Sequence, residues 1–159
     1  MFANRKIIGA TEVDVCGIKF KSKLEARVYK ELIKLGYKAE YEPMTSTLLD
    51  GFRPVKPWLL DGEPQVIKHG ETKAIKRWEY TPDFLVYINS DVTLMLECKG
   101  YSNDLHPYKR KMLLHKLDEC DGWYYAEVHT LKGLRKTMEW FNKLVQQHNE
   151  KSLRDYLAG

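Results

Sequence analysis

Apolar and polar residues alternate through "VDVCGIKF" at 13–20, on either side of Cys16-Gly17. A period of two broken by such a pair predicts a short hairpin. The period then lengthens. Leu24, Val28, Leu32 and Leu35 recur at helical spacing, with Ala26, Tyr29 and Ile33 at the margins, and predict a helix over 23–35. Ser22 stands at its N-cap with Glu25 three residues on, the spacing of a capping box, and Gly36 ends it. "YKAEYEPM" follows as a strand closing near Pro43.

The rhythm is lost over 45–78. Pro54, Pro57 and Pro64, with Gly51, Gly62 and Gly70, exclude a long regular element. "WLL" and "PQVI" suit a small hairpin within this stretch, and "KHGETKAIKRW" is basic. Unstructured connections of this length are uncommon in compact domains, so 45–78 is read as an insertion and not a second domain. Periodicity returns in "TPDFLVYINSDVTLMLECKG", which predicts strands over 79–88 and 92–99 joined by Asn89-Ser90-Asp91. Pro107 suits the first turn of a further helix, with Leu105, Tyr108, Met112, Leu113 and Leu117 on its apolar side. "GWYYAEVHT" is strongly β-prone, and its aromatics, with Trp140, are read as core. Thr130 then caps a helix to about residue 148, with the stripe Leu131, Leu134, Met138, Phe141 and Val145. Residues 150–159 form a polar tail with room for one more turn. The order predicts an α/β chain, a mixed central sheet flanked by helices, with an inserted loop and hairpin region.

A length of 159 residues suits one domain spanning 1–159. The hydrophobic share of 43% and charged share of 30% are those of an ordinary globular chain. Net charge is +4, which permits an acidic partner without demanding one. The distribution says more. Seven basic residues over 19–38 face only Glu25 and Glu31, and five over 99–116 face only Asp104. Runs of this kind suit phosphate contact or form solvated helix faces. Cys16, Cys98 and Cys120 form no C-x-x-C pair, so no zinc ribbon or redox pair is indicated. With no secretory run near the start and no membrane-length apolar segment, the chain is expected to be reduced and intracellular.

The chemistry lies in the two central strands. Side chains alternate between faces, so Glu97 and Lys99 share one side while Leu94, Leu96 and Cys98 take the core side. A hairpin lays the start of one strand beside the end of the other, which brings Asp83 to the same sheet edge. Converged carboxylates repel unless neutralised, and their hard oxygens suit magnesium. A lysine beside them can orient water or stabilise charge developing on phosphate. An edge ion pair explains the same residues without chemistry. Pro-Asp followed within thirty residues by acid-x-Lys is expected by chance in about one unrelated chain in twenty. Context strengthens the match: both halves sit in adjacent predicted strands, and "LMLECKG" ends in a glycine that lets a ligand approach the backbone.

"TPDF" with "LECKG" resembles the PD-(D/E)XK nuclease superfamily. The wider pattern "CGIKFKSKLEARVYKEL", "YTPDF", "LECKGY" and "YKRKMLL" is similar to a phage-associated family of small nucleases in it, and to junction-resolving endonucleases with an acid on the first helix. The resemblance implies a restriction-endonuclease-like core. It implies Asp83, Glu97 and the backbone carbonyl of Cys98 as ligands of a divalent ion, magnesium with manganese as substitute. Lys99 would position the attacking water. Glu25 would hold a second ion or a metal-bound water; as a capping-box residue it has an equally natural local role. Lys21, Lys23, Arg77, Lys109, Lys111 and His115 are the candidates for contact with nucleic acid. Trp58 and Trp78 flank the basic insertion and could meet unpaired bases. His106, His115 and His129 form no ligand spacing with a cysteine.

These residues lead to the expectation of a metal-dependent endodeoxyribonuclease acting on branched, flapped or single-stranded DNA. It would be cytoplasmic, in a bacterial or phage-infected host cell, with no small-molecule cofactor and no membrane partner. A four-way junction would require two sites and so a homodimer, for which the N-terminal hairpin could supply contacts. A catalytically inactive nuclease-like DNA-binding module of a phage replication or packaging complex is the alternative. An RNA-directed or restriction-type enzyme is a third reading.

Overall fold

The computed structural model describes residues 12–56, 58–67, 71–100 and 105–158, with side chains described to residue 147. Residues 1–11, Pro57, Lys68, His69, Gly70 and Asp104, used above, lie outside the described residues.

The opening hairpin pairs β1 (Val13–Val15) with β2 (Ile18–Phe20), antiparallel. Cys16 and Gly17 turn it with φ of 55° and 82°, the doubly left-handed pair that matches strand twist, and Asp14 Oδ1 accepts from the Gly17 N–H at 3.1 Å. The helix α1 (Lys23–Lys34) starts where expected. Its buried face differs from the expected stripe: Glu25, Ala26, Val28 and Leu32 are buried, while Leu35 is 44% exposed. Leu35 is already the C-cap, beyond the last regular turn, and Gly36 at φ 86° ends the helix.

β3 (Lys38–Tyr41), β8 (Phe84–Tyr87), β9 (Thr93–Cys98) and β10 (Trp123–Val128) form the central sheet, in the order β10-β9-β8-β3. β9 runs antiparallel to β8 and parallel to β10, so the sheet is mixed. The strand expected over 79–88 is two strands. Pro82 lacks an N–H, and the chain breaks there. β7 (Trp78–Tyr80) leaves the main sheet to pair with β4 (Ser46–Leu49), and β8 starts at Phe84. The insertion is an arm that folds back on itself. Beyond β4 and β7, Phe52 and Ile75 exchange backbone hydrogen bonds, and the small hairpin of β5 (Leu59–Leu60) and β6 (Glu63–Pro64) lies within it.

Two apolar clusters fill the two faces of the sheet. Phe20, Val28 and Leu32 meet Phe84, Val86, Leu94 and Leu96 on one face, closed by Leu134, Met138 and Phe141 of α3 (Leu131–Ala158). Tyr80, Leu85, Met95 and Leu113 form the other, under α2 (His106–Leu117). Within α2, Leu105 and Tyr108 are exposed, and the buried positions are His106 and Leu113. A buried histidine therefore occupies the place expected for leucine. Trp140, expected in the core, is 55% exposed, because it flanks the Met138–Phe141 stripe. Thr130 caps α3 as expected, accepting from the Gly133 N–H at 3.0 Å. The helix runs ten residues past 148, through most of the expected tail, because after Gly133 no glycine or proline occurs until Gly159. Among the described residues no helix is long and apolar enough to cross a membrane.

Candidate active site

The β8–β9 register pairs Phe84 with Leu96, so one further step sets Asp83 against Glu97 at the open end of the hairpin. The Cys98 N–H donates to Asp83 Oδ2 at 2.7 Å. The alternation holds: Leu94, Leu96 and Cys98 join the larger core, and Met95 lies on the opposite face. Glu97 is 5% exposed. Its Oε1 lies 2.5 Å from Lys99 Nζ, and its Oε2 accepts from the Tyr80 hydroxyl at 2.5 Å.

Among the described residues Asp83 has one backbone donor for two carboxylate oxygens. Burial and the Glu97 charge push its acid up to about 7, the Cys98 N–H bond and Lys99 pull the other way, and the Glu25 charge adds to the rise. Burial also drives the Cys98 thiol far up, reinforced by Asp83, Glu25 and Glu97. The four residues singled out in the sequence therefore act in one electrostatic neighbourhood.

Glu25 takes the local role expected of a capping-box residue. It is buried, and its Oε1 accepts from Ser22 Oγ at 2.7 Å while Ser22 Oγ accepts from the Glu25 N–H at 3.2 Å. Its Oε2 accepts from the Lys21 N–H at 3.0 Å and the Tyr41 hydroxyl at 2.7 Å. Both oxygens thus serve the helix start. Among the described residues no group of three or more His, Cys, Asp and Glu side chains is arranged to hold a metal ion. The donor set of Asp83 and Glu97 still fits a hard cation in kind, since both present carboxylate oxygens and Asp83 Oδ1 accepts no hydrogen bond among the described residues. A Cβ built on Gly100 meets nothing within 4 Å, and the residue has no left-handed φ. The fold itself does not require glycine there.

The expected nucleic-acid contacts divide. Lys21 pairs with Glu42, whose N–H donates to the Asp83 carbonyl oxygen at 2.9 Å, so Lys21 stands at the rim of the acids. Lys23 is exposed on α1 beside a cavity of about 430 Å³ that Arg27 and Lys30 also line. Lys111 and His115 are exposed one turn apart on α2. Arg77 is tied to Glu79 at 2.8 Å. Lys109 is built into the fold, donating to the Glu79 carbonyl oxygen at 2.9 Å with its ammonium 6.0 Å from the Trp78 ring centre. Trp78 is half-buried under that contact. Trp58 Nε1 is buried and has no hydrogen-bond partner among the described residues.

A second polar cluster escaped sequence reasoning. Glu127 on β10 is paired in register with Glu97 on β9, so the two side chains leave the same sheet face on neighbouring strands. Glu127 Oε2 accepts from His106 Nε2 at 2.9 Å, Arg110 at 3.1 Å and the Tyr125 hydroxyl at 3.3 Å. Burial raises its acid, but the hydrogen bonds and charges of His106 and Arg110 prevail and hold it below the usual carboxylate range. A signal existed: Glu127 breaks the apolar run of "WYYAEV" as Glu97 breaks "LMLEC".

The family model described as "Protein of unknown function (DUF1064)" matches residues 5–133. The chain belongs to this family. The matched span covers α1, both central strands, α2 and β10, and with them every residue of the two polar clusters. No curated protein and no solved structure shows a significant match to this DUF1064 chain.

Proposed function

We propose that this DUF1064 protein is a metal-dependent endodeoxyribonuclease of the PD-(D/E)XK kind. One observation above all supports the reading. Asp83 and Glu97 stand opposite each other at the open end of the β8–β9 hairpin, burial first and then the Glu97 charge push the Asp83 acid up to about 7, and an ammonium lies 2.5 Å from Glu97. A fold retains such repulsion when a cation is to relieve it. Asp83, Glu97 and the Cys98 carbonyl would hold magnesium, with manganese as substitute, and the ion would supply Lewis-acid polarisation of a phosphate and a more acidic water.

The chain's own residues perform the remaining tasks. Release of Lys99 from Glu97 frees an ammonium to orient the attacking water and to stabilise charge developing on the phosphate. Tyr80 holds Glu97 in one orientation. Glu25, its oxygens taken by Ser22, Lys21 and Tyr41, adds negative charge near Asp83. Gly100 leaves its main chain open to a substrate. Lys21, Lys23, Lys111 and His115 offer exposed contacts to flanking phosphates. The substrate we propose is DNA recognised by shape: branched, flapped or single-stranded. A four-way junction would engage a homodimer.

The test is cleavage of supercoiled plasmid, hairpin and four-way junction DNA in magnesium by the wild type, Asp83→Ala and Lys99→Ala. Cleavage by the wild type alone is expected; equal cleavage by all three overturns the reading. The inactive binding module keeps one specific support, since both Glu97 oxygens already have protein partners. DNA binding without hydrolysis in either magnesium or manganese would establish it.

A further inference from the structure

The second cluster has no part in the chemistry above, yet its contacts close a circuit on Lys99. Lys99 Nζ pairs with Glu97 Oε1, and Tyr80 donates to Glu97 Oε2. The Tyr80 and Tyr125 rings meet edge-on with their centres 6.4 Å apart, and Tyr125 donates to Glu127. His129 Nε2 lies 3.4 Å from Glu127 Oε1. Its other nitrogen, Nδ1, lies 2.7 Å from the Lys99 carbonyl oxygen, and a carbonyl only accepts, so Nδ1–H donates. The Lys99 N–H donates to the Val128 carbonyl oxygen at 2.9 Å. The path leaves from the ammonium of Lys99 and returns to its main chain.

This geometry matters because Lys99 lies beyond the last residue of β9. Past Cys98 the β9–β10 ladder supplies no further Cα pairing, and Gly100 follows. A lysine on such a segment would wander unless its peptide were held from both sides. Val128 and His129 hold it, and Glu127, anchored to α2 by His106 and Arg110, stands 3.4 Å from His129 Nε2 and pairs with the ring when it is protonated. We propose that His129 and Glu127 are positioning residues that set where the Lys99 ammonium stands relative to Glu97. The inference rests on the nuclease reading for its catalytic consequence but not for its structural one.

The experiment compares wild type with His129→Ala, His129→Asn and Glu127→Gln. His129 is exposed, so its variants are expected to fold. Cleavage of single-stranded and junction DNA is read as kcat and KM in manganese, and hydrogen exchange is read at the Lys99 and Gly100 amides. His129→Ala is expected to lower kcat about 10–100-fold with KM within about twofold, since a displaced catalytic group costs turnover and not binding. Asparagine places an amide N–H where Nδ1 stands, so His129→Asn should recover most of that loss. Glu127→Gln should fall between the two. Exchange at both amides should quicken about tenfold in His129→Ala and recover in His129→Asn. An active wild type with unchanged kcat in His129→Ala overturns the inference and leaves the nuclease reading standing. A wild type that cuts nothing defeats the nuclease reading, and the exchange measurement then decides alone: unchanged exchange overturns the clamp.

Discussion

Glu97 and Glu127 occupy equivalent places on neighbouring strands, on one face of one sheet, and their surroundings are opposite. Glu127 faces His106, Arg110 and Tyr125, donors enough to hold its acid below the usual range despite burial. Glu97 shares a single lysine with a second acid, Asp83, that is pushed up to about 7. One cluster is electrostatically complete within the chain. Among the described residues the other has one ammonium for two acids. A half-buried acid with its partners supplied serves architecture; a half-buried and a buried acid together, short of a cation, are where a ligand is to be expected.

The sharpest way to break this comparison is to neutralise one acid in each cluster. Asp83→Asn should lower kcat/KM for DNA by about a thousandfold or more, the scale of losing a group that acts on the reacting atoms. The same substitution removes repulsion, so in EDTA at pH 8 its melting temperature should rise by about 3 °C while Glu127→Gln melts lower. Equal signs in calorimetry would erase the distinction between the clusters. Tyr80→Phe keeps the ring contact with Tyr125 and leaves Glu97 Oε2 buried without its donor. It should cost about 1–3 kcal/mol in urea unfolding.

Proton linkage gives opposite slopes to the two acids. The folded chain keeps the Asp83 proton up to about pH 7, whereas the unfolded chain releases it near its ordinary value of 3.8. Its contribution to stability is full below that value and is lost as pH rises through about 7. Glu127, held low, contributes above its ordinary value of 4.5, and the contribution is lost as pH falls below it. Melting in EDTA should thus fall from pH 6 to pH 8, with magnesium restoring most of the drop and Asp83→Asn flattening it. A flat profile in wild type, or magnesium without effect at pH 8, contradicts the cation-deficient site. The smallest stability effect belongs to Gly100→Ala. Open space around that Cβ predicts a change within about 0.5 kcal/mol, yet severalfold slower cleavage if a substrate passes there. Unchanged cleavage would place the substrate elsewhere.

Much of this was legible before any coordinates. The capping box at Ser22, the hairpin turn at Cys16-Gly17 and the alternation through "LMLEC" are local patterns whose signals lie within a few residues. The insertion was harder. Its strands are two to four residues long, too short for periodicity, and β4 finds β7 some thirty residues away. The expected strand over 79–88 failed at Pro82 for a related reason: Tyr80 and Phe84 both suit strands, and nothing local says that they join different sheets.

The amino-acid order by itself determined that Asp83 meets Glu97, because a hairpin and a period of two leave little freedom in where those side chains stand; Lys99, past the end of β9, takes its hold from β10. Tertiary structure alone decided that Glu127, thirty residues beyond Glu97, comes to lie beside it, and that His106 turns inward to meet it. A parallel pairing is made by a crossover through α2, and the register of such a crossover is set by how the helix packs on the sheet, which no local pattern records.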